Sequence, residues 1–245
     1  MKTIALVSGA VNGIGKAITE KLIHDGYFVI MMDIDKKAGH ELEVAHKNCC
    51  EFYYGNISNS DEVKKMFSLI KEKHKIIDLV VNNAGIIKDN MIWNMPDEDF
   101  DTVLDINLKG TWLMCKQAAV LMREQNKGRI VNIASRAWLG NRGQSNYSAS
   151  KAGVIGLTRV LALELGKYNV CVNAIAPGLI DTPLTQKLRE DVLESLINAQ
   201  PTKSIGKPED IANAVSFLGS YKTNFITGQV LYVDGGKSVG SNLSS

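Results

Sequence analysis

Tyr147 and Lys151 have the types and the spacing that acid–base chemistry requires, since the segment reads Tyr147-Ser148-Ala149-Ser150-Lys151. On a helix this spacing places both side chains on one face, one turn apart. A free tyrosine has a pKa of about 10, and a neighbouring ammonium favours its phenolate. Tyr147 could then accept a proton from an alcohol or donate one to a carbonyl oxygen. The same spacing also arises by chance on many helix surfaces, so the pair alone does not establish an enzyme.

A glycine-rich turn, Ser8-Gly9-Ala10-Val11-Asn12-Gly13-Ile14-Gly15, is a second candidate site. Glycine lets backbone N–H groups approach a pyrophosphate closely, and a helix that follows directs its positive end at the anion. The G-x-x-x-G-x-G spacing differs from the commoner pattern, and any strand-to-helix turn can need glycine. Its place between the first predicted strand and helix favours a dinucleotide. The positive nicotinamide of bound NAD⁺ is then a second cation that favours the phenolate; a pKa lowered by about three units requires roughly 4 kcal/mol.

Asp33 bears on which dinucleotide is bound. It ends the second predicted strand, where a carboxylate can accept hydrogen bonds from the adenosine ribose and repel a 2′-phosphate. The glycine-rich turn contains no arginine, and Asn12 holds its middle position. These features favour NAD over NADP, although Lys36 and Lys37 could tolerate a phosphate. The alternative is a solvated aspartate that only ends a strand.

Seven apolar segments of strand length, alternating with helical patterns, must position these residues. The predicted strands are Thr3–Ser8, Phe28–Met32, Cys50–Tyr54, Leu79–Asn82, Arg129–Ile133, Val170–Ala176 and Gln229–Val233. The predicted helices are Gly15–Asp25, Asp61–Lys73, Tyr147–Gly166 and a helix from Pro208 to Leu218, with two more in Asp97–Glu124. Continuous apolar strands suit a parallel sheet covered on both faces. The pattern predicts a single-domain α/β fold over residues 1–245, with a Rossmann-type doubly wound parallel sheet.

Composition excludes several other classes of protein. The 245 residues carry 28 basic and 26 acidic side chains, so a net charge of +2 gives no electrostatic case for nucleic acid or an acidic membrane. Cys49, Cys50, Cys115 and Cys171 form no C-x-x-C pair and have no histidine cluster beside them, which predicts reduced thiols and no metal site. The apolar run before Gly9 is too short for a signal peptide or a membrane span, so a cytoplasmic protein is expected.

The order of the motifs resembles that of the short-chain dehydrogenase/reductase family over essentially the whole chain. The glycine-rich turn is similar to the family's T-G-x-x-x-G-x-G, with Ser8 in place of threonine, and Tyr147 with Lys151 matches its Y-x-x-x-K. Further matches are Asn82–Gly85 (N-N-A-G), Asn107 (the catalytic asparagine), Ser135 (the catalytic serine), Ala176-Pro177-Gly178 with Thr182 (the segment beside the nicotinamide carboxamide) and Val233–Gly236 (V-D-G-G).

The resemblance implies a role for each catalytic residue. Tyr147 is the general acid/base, and Lys151 lowers its pKa and binds the nicotinamide ribose. Ser135 donates a hydrogen bond to the substrate oxygen, and Asn107 holds a water that links Lys151 to solvent. The alternatives are that Ser135 only ends a strand and that Asn107 kinks a helix. Together with Tyr147 and Lys151, the implied cofactor contacts are Ser8, Gly9, Asn12, Gly13, Ile14, Gly15, Asp33, Ile34, Asn56, Ile57, Asn83, Ala84, Gly85, Pro177, Gly178, Ile180 and Thr182. The implied substrate contacts are Ser135, Trp138 and Tyr147.

Two departures from the family pattern stand out. Twelve positions separate Ser135 from Tyr147, one fewer than is usual, which is expected to reshape the substrate mouth without moving its anchored ends. The third predicted strand is followed by Asn56 and Ile57, where the family usually has aspartate; an amide can still bind adenine.

Within the family the chain most resembles 3-oxoacyl-acyl-carrier-protein reductases. This implies a 3-oxoacyl or 3-hydroxyacyl thioester substrate, acyl carrier protein as a partner and a homotetramer that pairs long helices such as Tyr147–Gly166. Lys127 and Lys167 lie beside the places expected to hold basic carrier-binding residues, which are occupied by Asn126 and Tyr168.

Other functions share these motifs. Hydroxysteroid, polyol and other secondary-alcohol dehydrogenases carry all of them, and a non-catalytic NAD-binding regulator could use the same fold. Such a regulator would have no reason to keep all four catalytic residues. Segment 181–200 has a helical pattern with four apolar side chains on one face, which could serve ordinary packing; the family resemblance implies instead a lid that excludes water. These side chains are Leu184, Leu188, Val192 and Leu196.

Overall fold

A computed structural model, which describes residues 2–183 and 185–239, contains a seven-stranded sheet in which every paired strand is parallel. The strand order is β3-β2-β1-β4-β5-β6-β7. The strands are β1 (Thr3–Ser8), β2 (Tyr27–Asp33), β3 (Cys50–Tyr54), β4 (Leu79–Asn82), β5 (Gly128–Ile133), β6 (Val170–Pro177) and β7 (Val230–Val233). The predicted doubly wound α/β sheet is confirmed.

Helices cover both faces of this sheet. They are α1 (Gly13–His24), α2 (Lys36–Ala45), α3 (Ser60–Lys73), α4 (Asp97–Leu104), α5 (Thr111–Gln125), α6 (Ser145–Leu165), α7 (Glu190–Asn198) and α8 (Pro208–Gly219). One apolar core joins β1 to α3, α5 and α6, and a second joins the opposite face of β1 to α1 and α8. Side chains of a strand alternate between faces, so Ile4 and Leu6 enter the first core and Ala5 and Val7 the second.

Two helical regions differ from the sequence prediction. The two helices predicted within Asp97–Glu124 are α4 and α5, joined without a break by a π-helical turn, Asp105–Gly110, that the periodicity did not reveal. Helix α2 was not predicted because only Gly39 and Leu42 of its residues are buried. Its start is fixed by Asp35, whose side chain accepts a hydrogen bond from Ala38 N at 3.0 Å.

Segment 181–200 is only partly helical. Helix α7 covers its second half, and none of the helix residues is buried. Val192 and Leu196, which the prediction placed on the apolar face, are each 38% exposed. Leu184, the first residue of that predicted pattern, lies outside the described residues.

The strand order places a crevice at the carboxyl edge of the sheet. Strand β2 lies on one side of β1, and β4 lies on the other. The loops that follow β1 and β4 therefore run in opposite directions and leave a gap between them. Such a switch point is where open parallel sheets bind ligands. Among residues 2–183 and 185–239, no helix has both the length and the apolar character needed to traverse a bilayer.

Candidate active site

The glycine-rich turn is packed directly against the loop that follows β4. Gly9 has a φ of +61°, and a Cβ there would lie 2.7 Å from Ala84 Cα. A Cβ at Gly15 would lie 1.7 Å from the Gly9 carbonyl oxygen. Neither position has room for a side chain, so these two glycines bring the start of α1 close to the ends of β1 and β4.

The N-terminus of α1 is open to an anion. Asn12 is the N-cap residue, yet its side chain makes no capping hydrogen bond, and the first turn contains no acidic residue. The first N–H groups of a helix have no intrahelical partners and carry a partial positive charge. The Thr182 side chain lies opposite Gly13, 3.8 Å from where a Cβ would be. The backbone N–H groups of this uncapped first turn, which includes Ile14 and Gly15, can bind a pyrophosphate.

The Asp33 carboxylate is fixed in orientation beside this turn. Its Oδ1 accepts hydrogen bonds from Ile34 N at 2.7 Å and Asp35 N at 3.1 Å. Its Oδ2 accepts one from Val11 N at 3.3 Å. A carboxylate held in this way at the end of β2 can still accept hydrogen bonds from a ribose, because each oxygen has more than one lone pair.

Ser8 lies beneath the site rather than in it. The residue is fully buried, and its Oγ accepts hydrogen bonds from Asn83 N at 3.2 Å and Ala84 N at 3.3 Å. Asn83 Nδ2 donates to the Gly9 carbonyl at 2.8 Å. Ser8 and Asn83 therefore hold the two loops of the crevice together, a task that accounts for both side chains without a cofactor contact.

The pair after β3 is divided between surface and core. Asn56 is exposed, but its Oδ1 accepts hydrogen bonds from the Ser58 amide at 3.0 Å and the Ser58 hydroxyl at 2.9 Å. Ile57 is buried, and its side chain fills the space over Gly110. Ile57 therefore offers a ligand only its backbone, whereas the Asn56 Nδ2 group donates to no atom of the described residues.

Tyr147 and Lys151 lie on one face of α6, as the spacing predicts. Lys151 Nζ is 5.5 Å from the centroid of the Tyr147 ring and donates a hydrogen bond to the Ile133 carbonyl at 2.9 Å. Ile133 ends β5 two residues before Ser135, so the lysine is anchored to the strand that carries the candidate serine. Burial lowers the pKa of Lys151 to about 8, because desolvation disfavours the ammonium.

The chain by itself raises the pKa of Tyr147, whereas the sequence prediction of a lowered pKa relied on the charge of bound NAD⁺ as well as on Lys151. Burial is the main cause, since it disfavours the phenolate; the Asp89 charge adds to it, and a hydrogen bond with Ser135 opposes it. Lys151 does not overcome this effect in the described residues. Ser135 Oγ also accepts a hydrogen bond from Ala137 N at 3.1 Å, which fixes its direction at the end of β5.

Asn107 lies in the π-helical turn and is fully buried. Its Oδ1 accepts from Ile86 N at 2.8 Å, and its Nδ2 donates to the Ile86 carbonyl at 2.9 Å. Gly85 lies between Asn107 and Lys151, because a Cβ there would be 3.1 Å from Asn107 Oδ1 and 3.4 Å from Lys151 Nζ. The π turn thus brings Asn107 next to the candidate lysine, and the observed amide–backbone pairs fix the loop after β4.

The remaining predicted contacts surround the mouth of the crevice. Trp138 is half-buried, and its Nε1 donates to the Tyr232 hydroxyl at 2.8 Å. Pro177 ends β6, and Gly178 packs so closely on the next turn that a Cβ would lie 2.7 Å from Asp234 Cα. Ile180 is buried. Gly178 and Ile180 therefore shape the wall mainly through packing.

Sequence reasoning missed a buried polar network under the site. Asn82 Nδ2 donates to Asn132 Oδ1 at 2.8 Å, which links the ends of β4 and β5. Asn132 Nδ2 donates to Thr158 Oγ1 at 2.9 Å, two helical turns after Lys151 on α6. Buried amides are costly unless they are hydrogen-bonded, so this network fixes how α6 lies on β5. The available signal for this network was an asparagine at or near the end of an otherwise apolar strand, as at Asn82 and Asn132.

Comparison with known proteins agrees with this arrangement. Residues 9–238 match the family model described as enoyl-(acyl carrier protein) reductase. The chain is 40% identical over 237 residues to 3-oxoacyl-[acyl-carrier-protein] reductase FabG of Thermotoga maritima, covering 95% of this chain and 96% of the relative. It is also 40% identical over 247 residues to the (2S)-[(R)-hydroxy(phenyl)methyl]succinyl-CoA dehydrogenase subunit BbsD of Thauera aromatica, covering 96% of each.

A crystal structure of levodione reductase superposes with a TM-score of 0.93 at 31% identity and covers 98% of each chain. Sequence motifs, fold and full-length relatives all agree with the predicted resemblance. The chain belongs to the short-chain dehydrogenase/reductase family, whose members use a nicotinamide dinucleotide, and it is an oxidoreductase that interconverts alcohol and keto groups.

Proposed function

We propose that Tyr147 is the general acid/base of a reaction that interconverts a secondary alcohol and a ketone in the crevice. The observation that carries this proposal is the meeting of Tyr147, Ser135 and Lys151 at the carboxyl end of β5. When bound, the nicotinamide accepts or donates the hydride. The open N-terminus of α1 and the Asp33 carboxylate are the parts of the chain that would hold the pyrophosphate and the ribose.

Each catalytic residue has a separate task in this scheme. Tyr147 donates its phenolic proton to the carbonyl oxygen during reduction and accepts it during oxidation. Ser135 donates a hydrogen bond to the same substrate oxygen as negative charge develops there. Lys151 holds a positive charge beside the Tyr147 ring and binds the ribose, and a nearby cation is what the buried phenol needs for its pKa to fall. Asn107 positions the loop after β4 and the water next to Lys151.

The test is to compare wild type with Tyr147→Phe. Nicotinamide absorbance is followed with an alcohol and ketone panel, and coenzyme affinity is measured separately by titration calorimetry. We expect Tyr147→Phe to lose at least about a hundredfold in kcat, the size of a general acid–base contribution, and to keep its coenzyme affinity. Full activity in Tyr147→Phe would reject Tyr147 as the acid/base. A wild type that binds NAD tightly but converts nothing on the panel would favour a regulator.

NAD is the proposed coenzyme, with NADP as the weaker alternative. A 2′-phosphate would have to lie beside the Asp33 carboxylate, whose direction is fixed by Val11, Ile34 and Asp35. Asp33→Asn removes the charge and retains an acceptor. We expect the ratio of kcat/KM for NAD over NADP to exceed one in wild type and to fall about tenfold or more in the variant. A wild-type preference for NADP would contradict this part of the proposal.

A 3-oxoacyl or 3-hydroxyacyl thioester is the proposed substrate. Its support is the similarity to a 3-oxoacyl-[acyl-carrier-protein] reductase and to a subunit of a dehydrogenase named for a hydroxyacyl-CoA thioester. The similarity to levodione reductase supports the alternative of a small secondary-alcohol dehydrogenase. Turnover of thioesters, compared with cyclic ketones, steroids and polyols, decides between them; turnover of the latter group alone would reject the thioester.

Acyl carrier protein is the candidate carrier of this thioester. The position of Lys127 does not support a docking role for that side chain, since its Nζ bonds Asp78 Oδ1 at 3.0 Å and lies 3.9 Å from the centroid of the Tyr221 ring. Lys167 lies over the ring of Tyr168, at 5.2 Å. Equal kcat/KM for the coenzyme A and carrier thioesters of one acyl chain would show that the carrier is not recognised.

Self-association into a homotetramer is proposed from an apolar surface on α5 and α6. Trp112 and Val120 on α5 and Val160 on α6 are exposed, and Leu163 is 85% exposed. Beside Trp112 is a cleft of about 490 Å³ lined largely by Leu104, Leu108 and Leu157. Several large apolar side chains exposed on two neighbouring helices favour association with another chain. Light scattering measures the mass in solution, and a monomer would contradict the proposal.

Two smaller expectations complete the proposal. Segment 181–200 is proposed as a lid, because α7 buries none of its residues within the described chain. A cytoplasmic location is supported by the buried free thiols of Cys50, Cys115 and Cys171, which suit a reducing compartment.

A further inference from the structure

The loop after β4 is tied to the start of α6 by three hydrogen bonds at the substrate side of the crevice. Asn90 N donates to the Gly143 carbonyl at 2.8 Å, and Gln144 Nε2 donates to Asp89 Oδ2 at 3.0 Å. Asn146 Nδ2 donates to the Lys88 carbonyl at 3.0 Å. These bonds end immediately before Tyr147, so they join the two walls between which a substrate would enter.

Gln144 is the central residue of this connection. It is 9% exposed, and both ends of its amide are used, because Oε1 accepts from Asn141 Nδ2 at 2.9 Å while Nε2 donates to Asp89. Its carbonyl accepts from Ser148 N at 2.8 Å, in the first turn of α6. The Asp89 carboxylate is therefore connected through one side chain to the turn that carries Tyr147.

We propose that Asp89 is a positioning residue for the reaction, which fixes the Ser135–Tyr147 loop through Gln144 and places a negative charge within electrostatic reach of Tyr147. This inference rests on the proposed role of Tyr147 as acid/base. This loop is one residue shorter than is usual in the family, so its conformation is more restricted. A hydrogen bond to a carboxylate at its end restricts it further.

Among the charged groups of the described residues, Asp89 opposes the ionisation of Tyr147. Lys151, on the same helix, lies 5.5 Å from the ring centroid and favours the phenolate. Ser135, from the end of β5, is uncharged. Lys88 is paired with Asp99 Oδ1 at 2.6 Å, and Arg136 Nε is directed to Ser238 Oγ at 3.4 Å. Arg142 is exposed on the loop. Asp89 adds to the raised pKa of Tyr147, so the charge acts in a direction that a pH profile can measure.

Three variants separate the charge from the hydrogen bond. Asp89→Asn removes the charge and keeps an acceptor for Gln144, whereas Gln144→Ala removes the hydrogen bond and keeps the charge. Asp99→Asn is the matched control, because it removes a neighbouring negative charge that bonds Lys88 and not Gln144. The full chain with saturating coenzyme is assayed for alcohol oxidation from pH 5 to pH 10, and KM and kcat are determined at each pH.

Loss of the charge should change the pH dependence of kcat, whereas loss of the hydrogen bond should change the substrate KM. In Asp89→Asn the acidic limb of kcat moves to lower pH by about half a unit, which raises the rate about threefold on that limb and leaves the alkaline plateau unchanged. In Gln144→Ala the substrate KM rises about tenfold while coenzyme affinity is retained. Asp99→Asn keeps both the wild-type limb and the wild-type KM.

The inference is overturned by an acidic limb in Asp89→Asn that coincides with wild type, or by the same displacement in Asp99→Asn. A wild-type KM in Gln144→Ala also overturns it. Since Asp89 is exposed, Asp89→Asn is expected to fold and still tests the charge if Gln144→Ala does not fold. Tyr147→Phe is measured in parallel: if it is inactive while Asp89→Asn behaves as wild type, the proposed function survives and this inference fails. If Tyr147→Phe is active, the proposed function itself fails.

Discussion

Replacing Lys151 by Met should stabilise the coenzyme-free protein at neutral pH. Lys151 is 4% exposed, and burial lowers its pKa from 10.5 to about 8, which corresponds to about 3 kcal/mol. Because the folded pKa lies below the unfolded one, the unfolded chain binds more protons between pH 8 and 10.5. The destabilisation is therefore complete below pH 8, declines as the pH rises through this window and is absent above it.

The size of the effect follows from what the substitution removes. Lys151→Met eliminates the desolvated ammonium, but the Ile133 carbonyl loses a hydrogen bond of 2.9 Å, a loss of about 1 kcal/mol. The free energy of unfolding of the variant should exceed that of wild type by about 2 kcal/mol at pH 7 and fall below it by about 1 kcal/mol above pH 10.5. Groups that titrate in both proteins cancel in this difference.

Urea unfolding of both proteins at pH 7 and pH 10.5, at one protein concentration and without coenzyme, measures this difference. Lys37→Met is the control, because the Lys37 side chain is 88% exposed and its removal should give a small difference that does not vary with pH. If Lys151→Met were less stable than wild type at pH 7, or if the difference were the same at both pH values, the ammonium would not be the destabilising group. The same variant should have almost no activity, because it lacks the charge beside Tyr147.

Three further outcomes are expected. Gly9→Ala should abolish coenzyme binding in calorimetry and lower the melting temperature, because its Cβ would lie 2.7 Å from Ala84 Cα. Gly26 has a φ of +89°, and a Cβ there would meet no non-neighbouring atom of the described residues within 4 Å, so Gly26→Ala should cost only the backbone strain, about 1 kcal/mol, and keep binding. Asn107→Ala should lose about 2–5 kcal/mol of unfolding free energy in urea, since it leaves both the Ile86 N–H and its carbonyl unpaired, and should lower kcat; an unchanged stability would contradict the role of this amide. Leu163→Glu should shift the mass seen by light scattering toward smaller species, and an unchanged mass would place the subunit interface elsewhere.

The sheet was predictable because each strand is buried on both faces. Five of the predicted strands end at the observed residue at the carboxyl edge where the site lies, and the other two, Phe28–Met32 and Val170–Ala176, end one residue early. A strand that is buried on both faces is apolar along its whole length, and such a segment is stable only where both faces of the sheet are covered. Helix α2 has almost no such signal, since most of its residues are exposed and its start depends on one Asp35 cap.

Residue types alone identified the candidate catalytic pair but not its electrostatics. The spacing of Tyr147 and Lys151 was enough to predict that they share one face of a helix, because helix geometry depends only on residues that are near in sequence. The direction of the Tyr147 pKa depends on burial and on Asp89, which is 58 positions away in the chain and reaches the site through a loop. The buried positions of Ser8 and Ile57 were equally non-local, since both are set by the contact between loops that follow different strands.

The π-helical turn at Asp105–Gly110 gives α4 and α5 a phase difference that an uninterrupted α-helix could not have. One extra residue in a turn rotates everything after it by about 100°, so one continuous rod can show Asn107 to the interior and Trp112 to solvent. The turn is wedged between Ile57 and Gly153, whose Cβ position would lie 2.8 Å from the Leu108 side chain. Loss of a single residue here would rotate α5 by about 100° relative to α4, so Asn107 and Trp112 could not both keep their present directions.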